Sequence, residues 1–408
     1  MEAPLRIALA SIEYPPDPFS AGIGAYTKAL AHGLCDRGHR VHVVTRGDHD
    51  DVRSEAGVVV HRVTPARPEL PTDLRGVRSA RFAARVARRE WRYRGAIAAK
   101  LHQLVHEEAI DLIEAADHMA EPIRYRPSRH PHVPFVVRLH TPLTMTEKVE
   151  PTLPEALRRM VRTIERRYLL SSTHLSAPGA ACVRAFRDEM RLGNRPIRVH
   201  PNPPTYAPVT HPTAEADPPI VLFVGRLQRM KGVHLLVRAM PQVLARVPEA
   251  RFVFVGNDQI PVGDFPSTGA YLRSLLPPAL QPKLELVGQV PHEALSEYYA
   301  PAAVCVLPSI FEAFGYTCLE AMTYGKAIVG SAAGGMVELL DDGNAGLLYD
   351  PPDVDGLAAR IVRLLEDPTL RATLGDRARR RAQGRYRQDV VLDEIEAFYR
   401  SAIGDLAN

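Results

Sequence analysis

The sequence predicts an α/β protein built from two doubly wound, parallel-sheet domains. Three observations carry that expectation. The chain has 408 residues, more than one hydrophobic core usually fills, so two domains of ~150–200 residues each are expected. Short β-branched runs alternate with longer helical patterns throughout, which is the rhythm of βαβ units. A polar, proline-rich stretch over 202–219, NPPTYAPVTHPTAEADPP, interrupts that rhythm without helical or strand period and reads as a linker.

In chain order, the first strand is LRIALAS (5–11), followed by the loop EYPPDPFSAGIGAY (13–26) and a helix over 23–37. Strands VHVVT (41–45) and VVVHRV (58–63) precede a long helix over 77–107. DLIEA (111–115), PFVVRLH (134–140) and a helix over 154–170 complete the first half. Such unbroken apolar runs belong to strands covered on both faces. After the linker the rhythm restarts with IVLFVG (220–225), RFVFVG (251–256), LELVG (284–288), AVCVLP (303–308) and KAIVGS (326–331). The first domain is therefore set at 1–204 and the second at 205–385, with a final helix over 386–408 expected to pack back on the first. Two such sheets imply a cleft between them at the strands' C-terminal ends.

Charge and cysteine content exclude several classes. Lys+Arg number 51 against 47 Asp+Glu, a balance that does not point to nucleic acid. No run of eighteen apolar residues is present, so no transmembrane helix is expected. The start, MEAPLRIALAS, has no basic segment before an apolar run and no cleavage pattern, so a cytoplasmic chain is expected. Cys35, Cys182, Cys305 and Cys318 form no CxxC pair and no His-spaced set. Buried free thiols are expected rather than a zinc site or a disulfide framework.

The chemistry concentrates in FEAFGYTCLEAMTYGKAIVGSAAGGMVE, residues 311–338. A helix beginning near Gly315 carries Glu320 on its second turn, and the amides of Tyr316 and Thr317 stand at its N-terminus, a ready anion site. Glu320 can accept from two vicinal hydroxyls such as a ribose offers, and Glu312 can reach the hydroxyls of a sugar; the plainer alternative is two solvated surface acids. GRLQRMKG (225–232), directly after a strand, sets Arg226 and Lys231 at the sheet edge. Two cations there suit a pyrophosphate whose charge rises as a bond to it breaks, although loop cations such as Arg229 are common. Gly22 and Gly24 resemble the start of GxGxxG, but Thr27 stands at the third glycine and the strand is about ten residues away, so a dinucleotide fingerprint is rejected. The helix opening at Gly22 can still offer amides to a phosphate or a sugar. His140, at the end of PFVVRLH, is either structural or part of the site.

Together these blocks resemble glycosyltransferase family 4, the retaining nucleotide-sugar enzymes of the GT-B fold, over nearly the whole chain. The resemblance rests on EYPPDPFSAGIGAY, the histidine after the fifth strand, GRLQRMKG, and the E-x7-E block with GG-x-x-E at 334–338. It implies two Rossmann-like domains facing each other across a cleft, with sugar transfer from a nucleoside diphosphate sugar (UDP- or GDP-linked) to an acceptor nucleophile. Arg226 and Lys231 would bind the diphosphate, Glu320 the ribose, and Glu312 with Phe314, Gly315, Tyr316 and Thr317 the donor sugar and phosphate. His140 would face the donor sugar, Gly22 and Gly24 the phosphate, and the segment around Val290 the base. No cofactor and no metal are expected. Ala21 departs from a frequent glycine, PNPP at 201–204 from an asparagine–glycine turn, and Thr141 and Pro142 from the residues many relatives carry there.

Alternatives in other classes are a nucleotide-sugar epimerase on the same fold and a non-catalytic nucleotide-sugar-binding or membrane-associated protein. A pyridoxal-dependent phosphorylase is less favoured, since only Lys326 lies near the block. Asp48, His49 and Asp50 spell the DxD of metal-dependent transferases of another fold, but read as loop charge. Arg78, Arg81, Arg85, Arg88 and Arg92 form a cationic stripe on an amphipathic helix. It is either a solvated face or a contact for an acidic acceptor or the inner membrane face. The expected partners are the nucleotide-sugar donor and a small-molecule or glycan acceptor.

Overall fold

The structure is a computed structural model that describes residues 3–15, 22–64, 80–205, 215–259 and 261–407. It divides into two compact units, 1–205 with 388–408, and 206–387.

The first unit runs β1 (Arg6–Ala10), α1 (Gly22–Asp36), β2 (Arg40–Arg46), β3 (Asp51–Glu55), β4 (Val58–Val63), α2 (Ala80–Glu107) and β5 (Leu112–Ala116). It continues through β6 (Phe135–Arg138), α3 (Leu143–Val149), α4 (Glu155–Ser171), β7 (His174–Ala177), α5 (Ala180–Met190) and β8 (Arg198–Val199). Among the described residues its sheet has the order β3-β4-β2-β1-β5-β6-β7-β8, parallel except for the β3–β4 pair. The chain order reverses between β1 and β5, so the doubly wound switch point lies at their C-terminal ends. β3 is an addition to the expected set. Its sequence, DVRSE, has no apolar run and its side chains are mostly exposed. It forms because Ala56 and Gly57, both at positive φ, make a two-residue hairpin turn onto Val58. The strand expected over 134–140 ends at Arg138, so His140 stands beyond the sheet ladder.

The second unit contains β9 (Ile220–Val224), α6 (Val233–Arg246), β10 (Arg251–Val255), α7 (Thr268–Ser274), β11 (Leu284–Gly288), α8 (Ser296–Tyr299) and β12 (Ala302–Leu307). Then come α9 (Tyr316–Thr323), β13 (Ala327–Ser331), α10 (Met336–Leu339), β14 (Leu347–Tyr349), α11 (Val354–Glu366) and α12 (Pro368–Gly384). The strand order β11-β10-β9-β12-β13-β14 is all parallel and reverses between β9 and β12. The unbroken apolar strands follow from having both faces covered. Val221 and Phe223 of β9 join one core with Leu236 of α6 and Ile361 of α11. Leu222 and Val224 point the other way, into a core with Leu319 of α9 and Ala378 of α12.

The last helix, α13 (Gln388–Ala407), belongs to the first unit. Arg37, just after α1, bridges Asp393 and Glu396 at 2.7 Å each. A Cβ at Gly33 would meet the Leu392 side chain at 2.6 Å, so α1 and α13 pack closely. All four cysteines are free; Cys182, Cys305 and Cys318 are buried, whereas Cys35 is only half-buried.

Candidate functional site

In the second unit, loops from the ends of β9 and β12 meet at the switch point. Two kinds of contact lock them together. The Ile310 amide donates to Met230 O at 2.9 Å. Gly232, at φ 68, approaches so closely that a Cβ would lie 1.8 Å from Pro308 O. Gly256 does the same for the start of the loop, where a Cβ would lie 1.8 Å from Gly225 O. Within this frame Lys231 Nζ donates to Glu312 Oε2 at 2.5 Å, and Ser309 Oγ donates to the same oxygen at 3.4 Å. The Lys231 and Glu312 side chains keep 24% and 16% of their surface exposed, so a ligand can reach the pair. Arg226 is exposed on the same loop.

The GG-x-x-E block acts from beneath. Gly335 N donates to Glu312 O at 2.7 Å. Gly334 takes φ 76, and a Cβ there would sit 1.9 Å from the same carbonyl. These two glycines hold the backbone of Glu312 at a spacing that no side chain permits.

Gly315, at φ 106, starts α9, and the amides of Cys318 and Leu319 both return to its carbonyl. Tyr316 and Thr317 thus stand in the first turn, at the positive end of the helix dipole. The Phe314 side chain packs against the Tyr316 and Tyr386 rings in the core. Glu320 is 6% exposed. Tyr299 OH donates to its Oε2 at 2.9 Å, and His292 Nε2 lies 3.4 Å from Oε1. Burial lifts the Glu320 pKa to about 7. Val290 follows β11 and is half-buried against the same core. Tyr299 and His292 had no signal in the sequence, because only the fold brings α8 and the segment after β11 onto α9.

The first unit has its own polar cluster at its switch point. His140 is buried, its backbone N donates to Asp117 Oδ1 at 2.9 Å, and its Nε2 has no hydrogen-bond partner. Burial, reinforced by the charge of Arg138, holds the imidazole neutral with a pKa well below the ordinary histidine value. Tyr26, two residues after Gly24, packs T-shaped on the His140 ring with the ring centroids 4.9 Å apart and donates through its OH to Glu114 Oε1 at 2.7 Å. The start of α1, with Gly22 exposed and Gly24 buried, is thereby tied to the ends of β5 and β6. Burial raises the pKa values of Glu114 and, strongly, Asp117. Directly after Asp117, Met119 and Ala120 both adopt left-handed conformations, at φ 56 and φ 49, a concentration of strain of the kind found at functional sites.

The remaining sequence candidates fall elsewhere. Asp48 and Asp50 are exposed; Asp50 accepts the Thr64 amide at 2.7 Å, and Asp51 opens β3. Among the described residues no group of three or more His, Cys, Asp or Glu could hold a metal ion. Lys326 is buried and donates to Ala300 O at 2.6 Å, which accounts for it structurally. Arg88 and Arg92 are exposed on α2; Arg78 and the side chains of Arg81 and Arg85 lie outside the described residues. Among the described residues no helix is long and apolar enough to cross a membrane.

Comparison with known proteins bears on the family and the fold. Residues 21–203 match the model of the glycosyl transferase 4-like domain, and residues 211–381 match that of glycosyl transferases group 1. A D-inositol 3-phosphate glycosyltransferase of Acidothermus cellulolyticus is 29% identical, over 98% of this chain and 91% of that protein. Among solved structures, sucrose-phosphate synthase from Thermosynechococcus elongatus superposes with a TM-score of 0.74 at 22% identity, covering 98% of this chain and 100% of the other. HepE of Anabaena, in complex with UDP and glucose, superposes with a TM-score of 0.67 at 19% identity over 97% and 100%. The likeness to both structures is one of fold, the GT-B arrangement of two parallel-sheet α/β domains. With both halves matched in succession and the motifs gathered at the switch points, the chain belongs to the family 4 type of glycosyltransferases.

Proposed function

We propose that this transferase is a retaining, metal-independent enzyme that takes its sugar from a nucleoside diphosphate sugar. The observation that carries this reading is the set gathered at the β9/β12 switch point: the Lys231–Glu312 pair, the Gly315 start of α9, and the buried Glu320. Arg226 and Lys231 take the diphosphate, with the first turn of α9 at Tyr316 and Thr317 adding amides. Glu320 accepts from the ribose hydroxyls, and Glu312 with the Phe314–Gly315 backbone takes the donor sugar. Val290 lies on the segment assigned to the base. From the first unit, the reading enlists Gly22 and Gly24 for the phosphate. His140 offers the donor sugar a neutral imidazole whose Nε2 has no partner in the fold.

No carboxylate nucleophile is assigned. The acceptor attacks from the face that the diphosphate leaves, and the departing oxygen takes the acceptor's proton. Bond breaking moves negative charge onto the diphosphate, so the cations act most strongly in the transition state. A UDP-linked donor is the first choice, because HepE of Anabaena has been solved with UDP and glucose. For the acceptor, the inositol phosphate named for a relative makes a small polyol phosphate the first candidate.

The test is a melting screen with UDP, GDP, ADP and TDP sugars in the presence of EDTA. A donor at about one hundred times its Kd stabilises the fold by about 2.7 kcal/mol. One donor should raise the melting temperature without metal. If none does, the assignment to nucleotide sugars is wrong. With an active donor and acceptor, NMR of the product should show the donor's anomeric configuration; inversion would remove the retaining mechanism.

A further inference from the structure

Tyr26 is the point on which three groups of the first unit converge. It lies on α1 and is buried. Its hydroxyl is held by Glu114 of β5. The guanidinium of Arg138, the last residue of β6, lies over its ring at 5.2 Å. Its third neighbour is the His140 ring. The two residues that hold the tyrosine are themselves fixed. Arg138 is fully buried, with Nη2 donating to His200 O at 2.8 Å and to Asn202 Oδ1 at 2.6 Å. Its Nη1 donates to His200 Nδ1 at 2.9 Å. Glu114 is set in the parallel ladder opposite Leu9 of β1.

Stability alone does not call for this arrangement. Apolar residues of similar volume often serve a core as well as a buried ionic network or better, yet here a buried arginine and a buried glutamate meet on one tyrosine. The His140 imidazole is the group that gains from it. Asp117 fixes the His140 backbone, which leaves the side-chain torsions to packing, and the buried Nε2 has no hydrogen-bond partner. A T-shaped aromatic pair biases the orientation of a ring roughly two- to twelve-fold.

We propose that Tyr26 is a positioning residue for sugar transfer: clamped by Glu114 and Arg138, it holds the His140 imidazole at the angle at which that ring meets the donor sugar. The proposal rests on the reading above that sets His140 against the sugar, and it supplies what keeps a ring with an unbonded Nε2 in one orientation. Misplacing a group in a reacting constellation by about 1 Å can cost about a hundred-fold in rate. Loss of the Tyr26 ring should therefore act on turnover far more than on donor binding.

Two measurements on the full chain test it. The first is NMR of the ligand-free protein with labelled histidine, in which the His140 ring is assigned by its loss in His140→Ala. Its signal should be single and sharp in the wild type and doubled or broadened in Tyr26→Leu. Tyr168→Phe removes another buried hydroxyl of the same unit, one that donates to Ala116 O at 3.1 Å, and should leave the signal sharp. The second is the release of UDP from UDP-glucose. Tyr26→Leu should lower kcat about ten- to a hundred-fold and move the donor KM less than about two-fold. Tyr26→Phe keeps the ring and should fall between Tyr26→Leu and the wild type. In a His140→Ala background Tyr26→Leu should cost less than about two-fold, because the group it positions is gone. Circular dichroism establishes that each variant folds; where Tyr26→Leu does not, Tyr26→Phe takes its place in every comparison. An unchanged His140 signal, or losses that simply add in the double variant, would overturn the proposal and leave the role of His140 standing. Normal turnover in His140→Ala would overturn the reading of His140 itself, and the proposal with it. If the wild type releases no UDP, only the choice of donor fails, and the ring signals decide.

Discussion

Replacing Glu320 by glutamine separates what the carboxylate does for a ligand from what it costs the fold. The side chain is 6% exposed, and burial raises its pKa from 4.5 to about 7. The folded chain thus holds the Glu320 proton more tightly than the unfolded chain. Stability is highest below 4.5, falls as pH rises through the window from 4.5 to about 7, and stays reduced above it. At about 1.4 kcal/mol per pKa unit, the full loss is about 3 kcal/mol. Glutamine keeps the shape, keeps an acceptor for Tyr299 OH, and never ionises. Glu320→Gln should therefore match the wild type at the acid end of the window and exceed it by about 3 kcal/mol above the window. For a unit of this size that corresponds to roughly 6–12 °C in melting temperature. Nucleotide binding should move the opposite way. An acceptor bond to a charged group is worth about 1.5–3 kcal/mol, so affinity for the free nucleoside diphosphate should fall about ten- to a hundred-fold. Melting scans across pH and calorimetry at neutral pH check both. Equal stability at every pH would refute the burial cost, and unchanged affinity would refute the ribose role.

Other substitutions probe the rest of the site. Lys231→Met should lower kcat about a hundred-fold and raise the donor KM far less, because the charge it meets grows in the transition state; steady-state kinetics showing the reverse would make Lys231 a ground-state anchor. Gly334→Ala drives a Cβ toward the Glu312 carbonyl, 1.9 Å away, at φ 76, so the second unit should lose about 2 kcal/mol or more in denaturant unfolding, and activity should fall although no ligand-facing group has changed. His140→Ala should cost turnover without shifting the acid limb of the pH–rate profile, since the buried imidazole is already neutral there; a limb that moves with this substitution would mean that the histidine titrates during turnover. Turnover should persist in EDTA, and rescue by magnesium or manganese would bring Asp48 and Asp50 back into consideration.

Much of this protein was legible in its sequence, for a reason that can be stated residue by residue. Runs such as IVLFV are apolar at every position because Val221 and Phe223 face one core while Leu222 and Val224 face the other. Such strands announce a doubly covered parallel sheet, and the polar groups just beyond their ends mark where ligands can approach. Arg226, Lys231, Glu312, Gly315 and Glu320 were therefore visible from local order alone. β3 was not, because a polar edge strand buries too little to leave an apolar pattern; it exists through the Ala56–Gly57 turn and its ladder to β4. Tertiary structure alone decided which groups meet. Tyr299 and His292 reach Glu320 from other elements, Asp117 holds the His140 backbone from β5's end, and Gly334 is needed because its neighbour across space is the Glu312 carbonyl. Periodicity in a sequence records which face of an element is dry; the partner across that face, and the proton affinity that burial imposes on it, arise only when distant segments close around the same few ångströms.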